Sequence, residues 1–290
     1  MKNYLSLVKF SHTIFAMPFA MIGFSLGLNY VSVSSATHKW LHILGLVLVC
    51  MITARNAAMA FNRYIDRNYD EKNPRTAIRE IPSGVITPKN SLFFIKINCA
   101  LFIIATFFIN KLCFYLSPVA LMVVMGYSLT KRFTFLCHLI LGIGLGLAPI
   151  GAFLAVTGKF ELLPLFFSVA VLCWVSGFDI IYALQDEQFD KENNLYSVPA
   201  YFGPAKAKWI SRLLHAGCFL ALIAAGIYGN FHFLYWIGLV AFSGLLIYQH
   251  SLVIRFGLQK IDIAFFTTNG IASVVFALFV ICDILFFNSG

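Results

Sequence analysis

The chain has 290 residues, of which 60% are hydrophobic and only 11% are charged. Soluble globular domains carry about 25% charged residues, so this composition excludes an ordinary soluble protein and predicts an integral membrane protein. The seven cysteines form no CxxC pair and no Cys/His cluster, which argues against a disulfide framework and against a zinc site.

Apolar runs of about 20 residues, the length that crosses a bilayer, occur nine times along the chain. The first run follows a basic start and is too long for a cleavable signal peptide, so it is interpreted as a span. The nine predicted spans lie near residues 10–32, 40–63, 91–111, 113–130, 134–157, 162–184, 207–228, 231–254 and 262–287. The sequence therefore predicts an all-α integral membrane bundle of nine transmembrane helices, forming a single domain over residues 1–290.

The 21 Lys and Arg residues are distributed unevenly between the two sides of this topology. Eighteen of them fall on one side, and only Lys39, Lys111 and Lys159 fall on the other. Loops rich in Lys and Arg stay in the cytoplasm, so the basic side is predicted to be cytoplasmic. The net charge of +9 is then explained by topology and by attraction to anionic membrane lipid, and it requires no nucleic-acid partner.

Two polar stretches on the predicted cytoplasmic side carry acidic residues at a spacing of four. The two rows are Asn62, Asp66 and Asp70 in the first stretch, and Tyr182, Asp186 and Asp190 in the second. Residues four apart on a helix share one face, with Cβ atoms about 6 Å apart. Each stretch is therefore predicted to present a row of oxygen atoms at the cytoplasmic end of a span.

The chemistry of these rows points to magnesium and phosphate. Neither row has enough ligands for a closed calcium site, whereas Mg²⁺ keeps several waters and completes its shell with phosphate oxygens. Basic residues surround the rows, and Arg binds phosphate oxygens in a bidentate manner. These cations are Arg55, Arg63, Arg67, Lys72, Arg75, Arg79, Lys131 and Arg132. Within an apolar bundle, the combination predicts a ligand with a diphosphate head and a hydrophobic tail, such as an isoprenyl diphosphate.

Two other classes of function stay open from the residues alone. A transporter or proton pathway also uses carboxylates inside a membrane, but it predicts them near span centres, not at span ends beside Arg-rich loops. A structural or chaperone-like membrane subunit predicts that Asp66→Ala and Asp186→Ala leave function unchanged.

The remaining conspicuous residues receive structural interpretations. GIGLG at 142–146 lies inside an apolar span and predicts close packing of helices through small residues. His12, His138 and His250 lack partners at metal-ligand spacing and are assigned no role.

Three stretches resemble signatures of the UbiA-type membrane prenyltransferases. RNAAMAFNRYIDRNYDEKNPRTAIREIPSG is similar to the family motif NDxxDxxxD followed by RTxxRPxPSG. YALQDEQFDKENNLYSVPAYFG is similar to the second motif, and YSLTKR at 127–132 is similar to the segment after the fourth span. Arg63 stands where the family has Asp after Asn62, and Glu80 stands where Pro is common after Arg79. The variant most resembles the 4-hydroxybenzoate polyprenyltransferase-like branch.

The resemblance implies an enzyme of the bacterial inner membrane whose active site faces the cytoplasm. It would transfer a polyprenyl group from polyprenyl diphosphate to an aromatic acid in the biosynthesis of ubiquinone or menaquinone, with Mg²⁺ as cofactor. The implied catalytic and metal-binding residues are Asp66, Asp70, Asp186 and Asp190, with Asn62 as a further metal ligand. The implied diphosphate-binding residues are Arg75, Arg79, Tyr127, Ser128, Lys131 and Arg132. The implied acceptor-binding residues are Arg55, Asp179 and Tyr182.

The identity of the acceptor stays open within the family. Both 4-hydroxybenzoate and the 1,4-dihydroxy-6-naphthoate of the futalosine menaquinone route fit, and haem O synthesis and chlorophyll prenylation are further options. Arg55 is expected either to meet the acceptor carboxylate or to extend to the membrane interface. Asp179 is expected to orient the second row or to assist the phenol. The prenyl tail is expected to leave through an apolar opening near Phe15 and Phe19.

Overall fold

The computed structural model describes residues 2–8, 16–31 and 37–287, and all regular secondary structure within these ranges is helical. Eight helices in these ranges are long and apolar enough to cross a membrane. The prediction of an all-α membrane protein is therefore confirmed. The helices are α1 (Lys2–Leu7), α2 (Met17–Tyr30), α3 (Thr37–Lys72), α4 (Pro88–Ile109), α5 (Lys111–Thr130), α6 (Cys137–Thr157), α7 (Leu162–Ala183), α8 (Glu187–Glu192), α9 (Val198–Tyr228), α10 (Phe233–Phe256) and α11 (Thr268–Phe287).

The predicted count of nine spans depends on the first apolar run, near 10–32. Residues 9–15 of this run lie outside the described ranges. The described helix α2 has 14 residues, about 21 Å at ~1.5 Å per residue, whereas the hydrocarbon core of a bilayer is about 30 Å thick. The ninth span thus stays a prediction.

Helix α7 lies at the centre of the bundle and packs mainly against α6 and α9. Its Trp174 is fully buried beside Phe19 of α2 and Phe242 of α10. The contact with α6 depends on glycine, as the small-residue run GIGLG predicts. A Cβ added at Gly142 would lie 2.5 Å from the backbone oxygen of Leu172, so only glycine allows the two helices to approach this closely.

The connection between α4 and α5 is short, and α3 is longer than its predicted span. The chain turns tightly at Asn110, whose side chain accepts a hydrogen bond from the Cys113 N–H. Helix α3 continues well beyond the predicted span of 40–63 and ends at Lys72, so Asn62, Asp66 and Asp70 all lie on one helix.

The second polar stretch folds differently from the first. Helix α7 ends at Ala183, a 3₁₀ turn covers Leu184–Asp186, and the short helix α8 follows. Helix α9 then begins at Val198, where the Ser197 side chain caps it by accepting a hydrogen bond from the Ala200 N–H.

Candidate active site

A cavity of about 650 Å³ lies between α3, α5, α6 and α7, with a smaller contribution from α4. One end is lined by polar residues that include Asn62, Asp66 and Asp186. From there it extends between apolar side chains to Leu154, near the far end of α6. The span from Cys137 to Leu154 on α6 corresponds to about 26 Å at ~1.5 Å per residue. The cavity is therefore long, mostly apolar and polar at one end, as a ligand with a charged head and a hydrocarbon tail requires.

The first predicted row forms part of the polar end. Asn62 Nδ2 donates a hydrogen bond to Asp66 Oδ2 at 3.1 Å, as expected for side chains one helical turn apart. Arg132 Nη2 approaches Asp66 Oδ1 at 3.4 Å and also donates to the Ile65 carbonyl oxygen at 2.9 Å. Asp70, one turn further on, is buried outside the cavity lining and is bound by Arg79 Nη1 at 2.6 Å.

The second predicted row is not a continuous face, which corrects the sequence interpretation. The 3₁₀ turn at Leu184–Asp186 changes the helical register, so Asp186 and Asp190 point in different directions. Asp186 lines the cavity, whereas Asp190 is fully buried and is absent from the cavity lining. Asp190 Oδ2 instead accepts a hydrogen bond from Ser197 Oγ at 2.8 Å.

The two motifs meet at the polar end of the cavity although they are far apart in sequence. Arg75 follows the first row and bonds Asp186 of the second through Nη2 to Oδ2 at 2.5 Å and through Nε to Oδ1 at 3.2 Å. Asn73 Nδ2 donates to the same carboxylate at 3.3 Å. The sequence prediction required the rows to face each other, and these contacts connect the segment that follows the first row to Asp186 of the second.

Each of the four aspartates in the two rows forms an ion pair with one predicted diphosphate-binding cation. The four pairs are Asp66 with Arg132 at 3.4 Å, Asp70 with Arg79 at 2.6 Å, Asp186 with Arg75 at 2.5 Å, and Asp190 with Lys131 at 2.7 Å. The two predicted groups are thus matched one to one. No charge in either group lacks a partner of opposite sign.

The ion pairs hold the cations in their charged form. Burial alone would lower the pKa of the Lys131 ammonium, but the carboxylate of Asp190 outweighs burial and raises this pKa above its usual value. Burial likewise acts to lower the pKa of the Arg75 guanidinium, and the carboxylate of Asp186 together with the hydroxyl of Tyr182 reverses the effect. Both side chains therefore remain positive across the physiological pH range.

The donor set at the polar end fits a magnesium ion. It consists of carboxylate and amide oxygens, which Mg²⁺ prefers. In addition, Asp70 Oδ2 is buried and has no hydrogen-bond partner among the described residues, so it has an unused acceptor position. Within the described ranges, no three His, Cys, Asp or Glu side chains converge on one point by themselves.

The predicted acceptor-binding residues lie around the cavity. Arg55 is on α3, 11 residues and about 16 Å along the helix axis from Asp66. Tyr127 lines the same region and interacts electrostatically with Arg55 and Asp179. Tyr182 lines the cavity too, and its hydroxyl accepts a hydrogen bond from Arg75 Nη1 at 3.3 Å.

Of the remaining residues predicted to bind the diphosphate or the prenyl tail, some line the cavity and others do not. Ser128 and Lys131 line the cavity, whereas Arg75 and Arg132 reach the site from outside its lining. Phe19 does not border the cavity, because it is fully buried in the core against Trp174, so its predicted contact with the prenyl tail is wrong. Phe15 lies outside the described residues.

His138 lies at the site, although its sequence context predicts no role for it. It lines the cavity, and its Nδ1 lies 2.6 Å from Asp179 Oδ2. Its Nε2 accepts a hydrogen bond from the Val198 N–H at 3.3 Å, so the hydrogen-bond pattern assigns the ring proton to Nδ1, which donates to Asp179. The partners lie 41 and 60 positions away, and no local spacing could have revealed them.

Comparison with known proteins agrees with this arrangement. A model of the UbiA prenyltransferase family matches residues 16–271. The chain belongs to the UbiA prenyltransferase family. It is 29% identical over 231 residues to a protein of Francisella tularensis subsp. mediasiatica (strain FSC147) named 4-hydroxybenzoate octaprenyltransferase, covering 80% of this chain and 81% of the relative.

Solved structures of the family share the fold. The apo structure of a UbiA homolog from Aeropyrum pernix K1 has a TM-score of 0.83 and 27% identity, covering 94% of this chain and 98% of that one. A UbiA homolog from Archaeoglobus fulgidus, solved bound to GPP and Mg²⁺, has a TM-score of 0.72 and 21% identity, covering 98% of this chain and 99% of that one. The chain is thus an enzyme, a membrane prenyltransferase of the UbiA family.

Proposed function

We propose that this enzyme transfers a polyprenyl group from polyprenyl diphosphate to an aromatic acid such as 4-hydroxybenzoate, in a magnesium-dependent step of quinone biosynthesis. The observation that supports this most directly is the set of four ion pairs at the head of a long apolar cavity. The named Francisella relative and the homolog bound to GPP and Mg²⁺ support the same substrate class and cofactor.

We assign the roles of the charged residues by assuming that ion pairs of the ligand-free site are exchanged for contacts with Mg²⁺ and the diphosphate. Asn62, Asp66 and Asp186 would hold Mg²⁺, with the unused Oδ2 of Asp70 as a further oxygen. The ion, when bound, supplies positive charge to the diphosphate oxygens. The arginines released from Asp66, Asp70 and Asp186 then turn to the diphosphate; they are Arg132, Arg79 and Arg75. Lys131 lines the cavity and would contact the diphosphate while it stays paired with Asp190. Asp190, which is buried away from the cavity, positions Lys131.

The reaction needs positive charge at the leaving group. As the C1–O bond of the prenyl diphosphate breaks, the diphosphate keeps the electron pair, and the fixed cations stabilise this developing charge. The resulting allylic cation forms a bond with the ring carbon ortho to the phenol oxygen of the acceptor. The displaced ring proton passes to Asp179, whose carboxylate His138 holds in position.

The acceptor would lie between Arg55, Tyr127 and Asp179. A guanidinium at this depth in a span suits a carboxylate, which favours an aromatic acid. Both 4-hydroxybenzoate and 1,4-dihydroxy-6-naphthoate meet this requirement, and the second is the alternative acceptor. Tyr127 and Ser128 lie next to the cations and would help to orient the diphosphate.

The wider context follows from the distribution of charge. We propose nine spans, a single domain over residues 1–290, and a location in the bacterial inner membrane with the active site facing the cytoplasm. The support for this orientation is that 18 of the 21 Lys and Arg residues fall on the side of the two motifs in the nine-span topology.

The decisive experiment is product identification. Membranes containing the enzyme are incubated with geranyl diphosphate, Mg²⁺ and either 4-hydroxybenzoate or 1,4-dihydroxy-6-naphthoate, and the product is identified by mass. We expect the mass of a geranylated acid with one acceptor and none with EDTA, Asp66→Ala or Asp186→Ala. If neither acid is prenylated and no diphosphate is released, the proposed reaction is wrong.

A further inference from the structure

Arg63 is a buried cation in the wall of the active-site cavity. Only 4% of the residue is exposed, and its Nε and Nη1 have no hydrogen-bond partner among the described residues. It also forms no ion pair within the described part of the chain, in contrast to Arg75, Arg79 and Arg132. A guanidinium stays charged in proteins, and burying its charge without a partner is costly.

The neighbours of Arg63 do not neutralise it. Two carboxylates, Asp70 and Glu80, interact favourably with Arg63, but neither forms an ion pair with it among the described residues. Asp70 is already bound by Arg79, and Arg79 itself repels Arg63. The cavity lining as a whole contains four Lys and Arg side chains, including Arg63, and three aspartates, so its formal charge is positive. A site with surplus buried positive charge is suited to an anion.

The position of Arg63 in the cavity indicates which anion it binds. It is adjacent to Asn62 at the polar end, whereas Arg55 lies eight residues, about 12 Å, further along α3. At this position the family signature has an aspartate, so arginine here replaces a negative charge with a positive one beside the diphosphate-binding residues.

We infer that Arg63 is a binding residue for the diphosphate group of the prenyl donor. Its fixed positive charge neutralises part of the diphosphate charge that a bound cation would otherwise have to neutralise. The inference rests on the proposed function, since it requires a diphosphate substrate. It also predicts that part of the affinity for diphosphate survives without a divalent ion.

The test is a binding measurement on the full-length protein purified in detergent. Calorimetry gives the Kd for inorganic diphosphate, with Mg²⁺ or with EDTA, for wild type, Arg63→Gln and Arg63→Lys. The control is Arg67→Gln, one turn along α3, whose guanidinium already bonds the Tyr64 carbonyl oxygen and does not line the cavity. We expect Arg63→Gln to weaken binding by about 10-fold or more, with the larger loss in EDTA, and Arg67→Gln to change little. Arg63→Lys should lie in between, because it keeps the charge but loses the bidentate geometry.

Stability separates a binding role from a structural one. Removal of a buried charge that has no partner should leave the melting temperature of the ligand-free protein unchanged or higher in Arg63→Gln. A lower melting temperature with unchanged diphosphate affinity would overturn the inference, as would a loss confined to 4-hydroxybenzoate binding. Wild-type protein that binds no diphosphate would overturn the proposed donor as well. If the wild type binds diphosphate and Arg63→Gln binds it equally well, only the role of Arg63 is overturned.

Discussion

The ion pair between Asp190 and Lys131 is asymmetric, and this predicts unequal costs for removing its two partners. The Asp190 side chain is 0% exposed, whereas that of Lys131 is 33% exposed. Lys131→Gln leaves a buried carboxylate with the Ser197 hydroxyl as its remaining hydrogen-bond donor, and breaking a buried pair in this way costs about 3–5 kcal/mol. Asp190→Asn leaves an ammonium that can turn to water and an amide oxygen that still accepts from Ser197, so we expect a cost of about 1 kcal/mol.

Thermal unfolding of the detergent-purified variants measures this difference. A change of 1 kcal/mol shifts the melting temperature by about 2–4 °C in a domain of 150–250 residues, so Lys131→Gln should lower it by roughly 6–20 °C and Asp190→Asn by roughly 2–4 °C. The melting temperature of the double variant should be close to that of Asp190→Asn, because the double variant has no buried carboxylate that lacks a charged partner. Lys191→Gln is the matched control, since its pair with Glu187 is solvent-exposed and should contribute little. Equal losses in the two single variants, or a larger loss in Asp190→Asn, would refute the reasoning.

Three further variants probe the proposed reaction. Asp70→Ala should abolish turnover while the protein still folds, as measured by product formation and by elution as a monodisperse species in size-exclusion chromatography; full activity would contradict its role in metal binding. Arg55→Ala should raise KM for a carboxylated acceptor by about 10-fold or more, as expected for a lost charge-assisted contact, and should be nearly silent with an acceptor that lacks the carboxylate. His138→Ala should lower kcat about 10-fold or more with little change in KM for the prenyl diphosphate, and should shift the pH profile of kcat. Recovery in His138→Gln, which can still donate to Asp179, would support positioning, whereas an unchanged pH profile in both variants would argue against it.

The first motif was predictable because its geometry is local. Asn62, Asp66 and Asp70 stay on one uninterrupted helix, and the Asn62–Asp66 hydrogen bond shows that the first two share a face. Asp70, one turn further on, lies outside the cavity lining. The predicted spans 91–111 and 113–130 leave room for no more than a tight turn between them, and the structure has one at Asn110.

The second motif shows where the same rule fails. Asp186 and Asp190 also lie four apart, but Asp186 is the last residue of the 3₁₀ turn at Leu184–Asp186, outside the helix α8 that contains Asp190. Nothing in the residues of this turn signals the break, because no glycine or proline occurs there. The burial of Asp190 is set instead by partners on other elements, Lys131 and Ser197.

His138 was unpredictable because its role depends on the packing of three elements. It lies at the start of α6, Asp179 near the end of α7, and Val198 at the start of α9. Only the fold brings these positions together, and a spacing test for metal ligands could not detect them.

The one-to-one ion pairs explain how this site persists inside an apolar bundle before any substrate is bound. Four carboxylates close together in a region of low dielectric constant would repel one another, and four cations would do the same. Pairing them makes the ligand-free site nearly neutral, so it does not oppose folding. In the proposed reaction, a magnesium–diphosphate complex would offer new partners of opposite sign to the groups that reach the cavity. Asp190 and Lys131 would stay paired, so no buried carboxylate is left without a partner. Arg63 forms no ion pair among the described residues, so its positive charge favours binding of the diphosphate without first breaking an ion pair.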